Sequence, residues 1–386
     1  MKKINCLKNM DKFLLMITIL MSVYGLFNIV TASSREAVTN LDESIFYYFY
    51  RHLAILIIGL VASIIVIKTS LKKYHKMLPL IFVITVGLNL WLIIKGDSTR
   101  GASNWIDLGF FNLQPSEIAK PVMIVCISFL FEKYYKNLRN PKIKHTEAIV
   151  MILLVGLLIP GVVFLQKDLG TAIVLIGIFV VLFLTSPILK QEKFKITVVT
   201  LILVSMFCLS VYSLKGKLLS DAQMSRFDFY NPCSKYSKSG YQICNAFIAI
   251  NDGGLFGVGI GKSTQKYSYI PEPHTDMVFA IISEEMGFLK CTIIFIVYII
   301  ILYRILNLSS KTNSIKNRYI CLGVATYIFM HIFINLGGLF GVIPLTGVPL
   351  PFLSYGGSFT LSLLIALGVV ERVHIETNYN KIKKIE

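Results

Sequence analysis

Apolar residues in this chain gather into stretches of about 20, the length that carries an α-helix across roughly 30 Å of hydrocarbon. Ten such stretches can be read, at approximately 12–32, 49–67, 78–95, 115–131, 148–165, 169–186, 196–214, 277–303, 319–341 and 352–371. They predict an all-α polytopic membrane protein of about ten transmembrane helices. The short alternating strands of a membrane β-barrel are missing from the pattern. No internal repeat or low-complexity linker divides the sequence, so residues 1–386 read as one membrane domain.

Polar residues are spread unevenly between these stretches. One long segment, about 215–276, separates the seventh and eighth; structureless loops of that length are usually functional. Lys95 to Gln114 is a second polar segment and carries Arg100, Trp105 and Asp107. Gly341 to Gly357 is a third, rich in Gly and Pro. The remaining connections are short and several are basic, such as Lys72-Lys73 with Lys76, Lys133 with Lys136 and Arg139, and Lys190 with Lys193 and Lys195. Basic residues in short loops mark the cytoplasmic side. Both termini are therefore expected in the cytoplasm, and the long loop outside.

Composition agrees with the pattern. The chain is 55% hydrophobic and 15% charged, against about 25% charged in a soluble protein. Its net charge of +17 could suggest nucleic acid, but the distribution of that charge follows topology, so no nucleic-acid partner is expected. The first apolar run, of about 19 residues, exceeds a signal-peptide core and predicts an uncleaved first span. Of seven cysteines, Cys6, Cys126, Cys208, Cys291 and Cys321 read as small apolar fillers. Cys233 and Cys244 both fall in the exported loop, where a disulfide or two free thiols are equally compatible with spacing. No Cys/His spacing resembles a zinc site.

The candidate chemistry clusters outside. Asp276 closes the segment Pro271-Glu272-Pro273-His274-Thr275-Asp276 at the mouth of the eighth apolar run. A carboxylate at an apolar boundary suits a general base; Thr275 or Asp276 could equally cap the following helix. Asp252 to Ser263 is rich in glycine and reads either as a flexible turn or as a cradle for a diphosphate, with Lys262 and Lys266 beside it. It is not a Walker loop, since Phe256 stands where a glycine is required. Gln242 to Ile250 reads as a short helix along the membrane surface. Glu284 and Glu285 lie inside the eighth run and need basic partners from the bundle. Glu117 and Lys120, at i, i+3, form an ion pair that either orients helices or lines a polar cavity. Asp168 is a helix cap or a substrate contact. His331 and Asn335, at i, i+4, read as a satisfied helix pair. Pro344 to Ser358, including Ser354, breaks the helix near the membrane and is expected to wall the site.

Six of these segments, in this order, resemble the SEDS family of FtsW and RodA proteins, and the FtsW-like branch most. They are Arg100-Gly101-Ala102 to Trp105-Ile106, Gln114-Pro115-Ser116-Glu117, Asp168-Leu169-Gly170-Thr171-Ala172, Pro271 to Asp276, Glu284-Glu285-Met286-Gly287, and Leu350-Pro351-Phe352 to Tyr355-Gly356-Gly357. The resemblance implies ten helices in the bacterial cytoplasmic membrane and a peptidoglycan glycosyltransferase that polymerises lipid II into glycan strands on the outer face. Asp276 matches the family's essential outer-loop aspartate, here the general base of an inverting transfer with undecaprenyl diphosphate leaving. Arg100, Arg226, Lys262, Lys266, Glu272, His274, Asp168 and Ser354 are then expected to bind substrate. No organic cofactor is implied; a divalent cation, Mg or Mn, is compatible with the reaction. Expected partners are lipid II, undecaprenyl-diphosphate-linked glycan, a class B penicillin-binding protein and other division or elongation proteins. A lipid II flippase and a non-catalytic scaffold are the alternatives. Two departures stand out: Lys167 replaces the family's usual proline, and Met277-Val278 replaces a Phe-Ile pair.

Overall fold

The computed structural model describes residues 9–95, 104–109, 111–140, 146–216, 229, 231–235, 240–267 and 269–385. Among the described residues it is 77% helical, with twelve helices. They are α1 (Lys12–Asn40), α2 (Tyr47–Lys68), α3 (Leu71–Lys95), α4 (Pro115–Lys133), α5 (Tyr135–Arg139), α6 (Thr146–Leu165), α7 (Leu169–Thr185), α8 (Lys190–Lys215), α9 (Tyr241–Gly253), α10 (Val278–Lys311), α11 (Ile315–Leu339) and α12 (Gly357–Ile385). A two-residue hairpin, β1 (Ile106–Asp107) with antiparallel β2 (Asn112–Leu113), leads into α4. Each of the ten predicted stretches coincides with a helix. Seven of those helices, α1, α2, α3, α6, α10, α11 and α12, are long and apolar enough to cross a membrane, and α7 is a shorter apolar helix.

Charge explains why α4 falls outside that group. It carries Glu117, Lys120 and Glu132, and most of its residues are buried among the other helices. Such a helix is tolerated because it faces protein rather than lipid. Helix α12 is central too, with 83% of its most apolar window buried, whereas α3 is peripheral at 22%. One large apolar cluster runs through α4, α6, α7, α10, α11 and α12. A small satellite, Leu26, Leu56 and Leu364, joins α1, α2 and α12.

Helix ends follow local chemistry. Asp11 caps α1, accepting from the amides of Phe13 and Leu14. Pro115 opens α4, where a missing N–H costs nothing. Asp168 caps α7 through the Thr171 amide, so its cap reading holds. The residue before it, Lys167, has φ 65. Proline is locked near −65° and cannot take that value, which accounts for a non-proline residue at this turn.

The glycine-rich loop has a different role from the one its sequence suggested. Helix α10 breaks at Gly287, where φ is 75. The break removes the helical bonds that Phe288 N and Leu289 N would make to the carbonyls of Glu284 and Glu285. The loop replaces them: Val258 N donates to Glu284 O at 2.9 Å and Gly259 N to Glu285 O at 3.1 Å, while Phe288 N and Leu289 N donate to Gly254 O and Leu255 O at 2.9 and 3.2 Å. Buried backbone groups need such partners. The loop amides at 258 and 259 are thus committed to α10 and do not cradle a phosphate. Glycine is required for the approach, because a Cβ on Gly287 would lie 2.3 Å from Gly257 N, and one on Gly257 2.3 Å from Glu285 O. Gly287→Ala is expected to destabilise by at least the roughly 1–3 kcal/mol of a strained backbone, with easier proteolysis of the loop. Gly161→Ala, with open space around a helical glycine, should leave the melting temperature unchanged or raised.

The acids of α10 also find partners in the loop, not in the bundle as expected. Glu284 accepts from Ser263 Oγ at 2.5 Å, Thr264 N at 2.7 Å, Thr264 Oγ1 at 2.9 Å and Gln265 N at 3.4 Å. Glu285 pairs with Lys266 Nζ at 2.8 Å. Helix α9, in the segment read as a short surface helix, turns Ile243, Ala246 and Ala249 inward and packs on α10. Cys233 and Cys244 are joined in a disulfide that ties the 3-10 turn Pro232–Lys235 to α9. Cys126, Cys291 and Cys321 are buried free thiols.

Candidate functional site

Asp276 sits at the end of the bundle where α1, α2 and the broken segment 344–358 meet. It does not cap α10. That helix has Met277 at its N-cap and no side-chain cap bond. Nor does Thr275 cap it: its hydroxyl lies 2.7 Å from Glu272 O and 3.0 Å from Asp276 Oδ1. Both cap readings therefore fail. The half-buried Asp276 carboxylate faces Gly347, whose absent Cβ would stand 3.9 Å from Oδ2. A glycine there leaves space beside the carboxylate.

Three hydrogen bonds lace this segment to the broken one. Asn335 Nδ2 donates to both Asp276 O, at 2.7 Å, and Val348 O, at 2.8 Å. Tyr355 N donates to His274 O at 2.8 Å. One turn below Asn335, His331 has Nδ1 3.0 Å from Pro349 O and Nε2 3.0 Å from Lys120 Nζ. His331 and Asn335 are thus not a helix pair satisfying each other. Each catches a carbonyl of the broken segment, where the chain cannot satisfy its own backbone.

Lys120 continues the chain of contacts. Its ammonium is 2.6 Å from Glu117 Oε1, and both side chains are buried. It also stands 5.6 Å from the centre of the Tyr327 ring. Glu117 O accepts from Ser362 Oγ at 2.7 Å, which ties α4 to α12. Glu117 Oε2 has no partner among the described residues. The predicted pair is therefore present and is shared with α11.

Asp168 receives more donors than its cap requires. Asn104 Nδ2 and Gln114 Nε2 donate to its Oδ2 at 2.9 and 2.6 Å. Gln114 N in turn donates to Ser358 Oγ at 2.7 Å. The hairpin, α4, α7 and α12 are thereby joined around one carboxylate.

A second cluster flanks Asp276 on the α1–α2 side. His274 lies 4.2 Å from Tyr48 and 5.3 Å from Tyr355, ring centre to ring centre. Its Nδ1 is 3.4 Å from Glu36 Oε2, and Tyr48 OH lies 3.4 Å from Glu36 Oε1. The carboxylate favours protonation of the ring, but burial opposes it more strongly and pushes the His274 pKa down to about 3. His274 is accordingly a neutral packing group that shapes the segment.

The predicted cations fare unequally. Lys262 is exposed. Lys266 is buried and spent on Glu285 and on Gly261 O at 2.7 Å, so it braces the loop. Ser354 is buried and accepts from Leu350 N at 2.8 Å, inside the broken segment's own turn. Glu272 takes φ 46 and shapes the bend before Asp276. Arg100 and Arg226 lie outside the described residues. Two cations not foreseen stand at this end: Arg35 over the Tyr267 ring at 5.7 Å, and Arg51 over Tyr47 at 4.6 Å with a hydrogen bond to Tyr355. Their signal in sequence was a basic residue at the side that the charge bias leaves poor. No three His, Cys, Asp or Glu side chains among the described residues converge to hold a metal ion.

Comparison with known proteins agrees with this architecture. The family model for FtsW/RodA/SpoVE cell cycle proteins matches residues 11–379. The chain is 29% identical to the probable peptidoglycan glycosyltransferase FtsW of Bacillus subtilis, over 98% of this chain and 94% of that one. It is 31% identical to stage V sporulation protein E of the same organism, over 96% and 98%. Its fold is similar to a chain in a solved peptidoglycan synthase complex that coordinates polymerization and crosslinking, with a TM-score of 0.72, 23% identity and coverage of 95% and 98%. It is also similar to Thermus thermophilus RodA, the rod shape determining protein, with a TM-score of 0.67, 23% identity and coverage of 95% and 97%. The chain therefore belongs to the FtsW/RodA/SpoVE family and is a multi-pass SEDS glycosyltransferase.

Proposed function

We propose that this glycosyltransferase polymerises lipid II into glycan strands at the outer face of the bacterial cytoplasmic membrane, with ten spans and both termini inside. The observation that carries the reading is the Asp276 carboxylate, held by its backbone to Asn335, excused from helix capping, and faced by a glycine. Asp276 takes the proton from the acceptor's sugar hydroxyl. The freed oxygen bonds to the donor's C1 as the C1–O bond to diphosphate breaks, which inverts that carbon. Undecaprenyl diphosphate leaves with the bonding electrons and its negative charge. Arg35, Arg51 and Lys262 are proposed to meet that charge, with Arg100 and Arg226 as further candidates.

A class B penicillin-binding protein is the proposed partner, in keeping with the peptidoglycan synthase complex among the similar structures. The buried Glu117–Lys120–His331 string favours one second reading, a polar path through the bundle for flipping lipid II. Reconstitution in vesicles with lipid II, with and without the partner, distinguishes them. Glycan strands from externally supplied lipid II are expected. Transbilayer movement without polymer would overturn the enzyme reading, and neither activity would leave only a scaffold.

A further inference from the structure

A groove that reaches toward the opposite end of the bundle is not used in the glycosyl transfer proposed above. It runs between α1, α2 and α12, walled by Leu15, Ile19, Leu60, Leu364 and Leu367, and holds about 180 Å³. Its lining extends from Leu14 to Leu26 on α1 and from Leu53 to Ile67 on α2, about 18–21 Å at 1.5 Å per residue. That length slightly exceeds one leaflet, roughly half of a 30 Å hydrocarbon core. The groove is open to lipid on the exposed sides of Ile19 and Leu60.

Its floor at the α1 N-terminal end is polar. Glu371 lines the groove there and is 5% exposed. Asp11 N donates to its Oε2 at 3.0 Å, but Oε1 has no hydrogen-bond partner among the described residues. Among the described residues, the nearby cations already have partners. Arg304 is committed to Asp11, with Nη2 2.5 Å from Oδ1 and Nε 3.2 Å from Oδ2. Arg372 is committed to Glu376 at 3.0 Å and Ile67 O at 3.2 Å. His374, also near Asp11, has Nε2 2.8 Å from Asn378 Nδ2. Two carboxylates, Asp11 and Glu371, thus face one guanidinium. A buried acceptor at the foot of an apolar slot calls for a cationic donor that arrives on a hydrocarbon chain.

We propose that this groove binds one phospholipid whose head group carries a primary ammonium, with an acyl chain between α1 and α12 and an N–H donated to Glu371 Oε1. Three N–H donors distinguish such a head group from a quaternary one, which has none. The site is independent of the catalytic assignment and needs only that the bundle sits in a bilayer.

Native mass spectrometry of the full-length detergent-solubilised protein tests the proposal, with phosphatidylethanolamine and phosphatidylcholine of identical chains as probes. One phosphatidylethanolamine should remain bound, at least tenfold in preference to phosphatidylcholine. Glu371→Gln, which keeps an acceptor for Asp11 N, should abolish that preference. Leu60→Trp, which fills the slot and leaves the charged cluster alone, should abolish retention of either lipid. Equal retention of both lipids by the wild type would overturn the proposal as ordinary annular lipid. Retention unchanged by Leu60→Trp would overturn the groove as its location, and a copurifying polypeptide displaced by Leu60→Trp would overturn the lipid as occupant.

Discussion

Asp276→Asn is expected to yield a folded protein that still retains lipid-linked glycan and polymerises it about 10²–10⁴-fold more slowly, the usual contribution of a positioned base. The amide keeps the size of the carboxylate and can still accept from Thr275 Oγ1, now at 3.0 Å. The segment's anchors survive as well, because Asn335 holds the Asp276 backbone oxygen and Tyr355 holds that of His274. What the variant lacks is a group able to take a proton. Melting temperature and lipid binding should therefore stay near wild type while strand synthesis falls. Near-normal synthesis would remove Asp276 from the base role. A companion variant, Asn335→Leu, separates placement from chemistry: it spares the carboxylate but releases two carbonyls, so activity and thermal stability should fall together.

Lys120→Met should be the more damaging half of the buried pair. It strands Glu117, whose Oε1 has Lys120 as its partner and whose Oε2 has none among the described residues. Leaving a buried charge unpaired costs about 3–5 kcal/mol. Glu117→Gln is expected to cost less, since Lys120 keeps His331 at 3.0 Å and the face of Tyr327. The double replacement Glu117→Gln/Lys120→Met should regain much of the stability lost by Lys120→Met alone. Thermal melts of the three proteins in one detergent give the order. Their polymerisation rates then decide the question left open by sequence. If the double variant recovers both stability and activity, the pair orients helices; recovered stability with lost activity assigns it a direct role.

How much was legible depended on range. The helices under the ten apolar stretches were legible because apolar length is a local property of each segment. Asp276, Glu117, Lys120 and Asp168 stood out in the sequence because charge beside apolar sequence is conspicuous. The glycine loop was misread for a physical reason: glycine permits close approach, but sequence does not say to what. The approach is to the broken backbone of α10, and Gly287 is the other half of it. Lys266 was assigned to a ligand by proximity in sequence, whereas a buried acid 19 residues later had prior claim. Arg35, Glu36, Tyr48 and Arg51 escaped notice because each sits at a helix end far from the motifs it joins.

The sequence by itself determined that this chain is a helical membrane protein, where its helices lie, and which carboxylates stand at apolar boundaries. These follow from hydrophobic length and the cost of isolated charge, which act within about twenty residues. Only the tertiary structure decided what those carboxylates touch. It showed that Met277, not Asp276, is the N-cap of α10, that Glu284 and Glu285 anchor a loop, and that His331 and Asn335 hold the broken segment. Contacts between residues tens to hundreds of positions apart carry no periodic trace along the chain. They are selected by the need to satisfy every buried polar group once the helices have met.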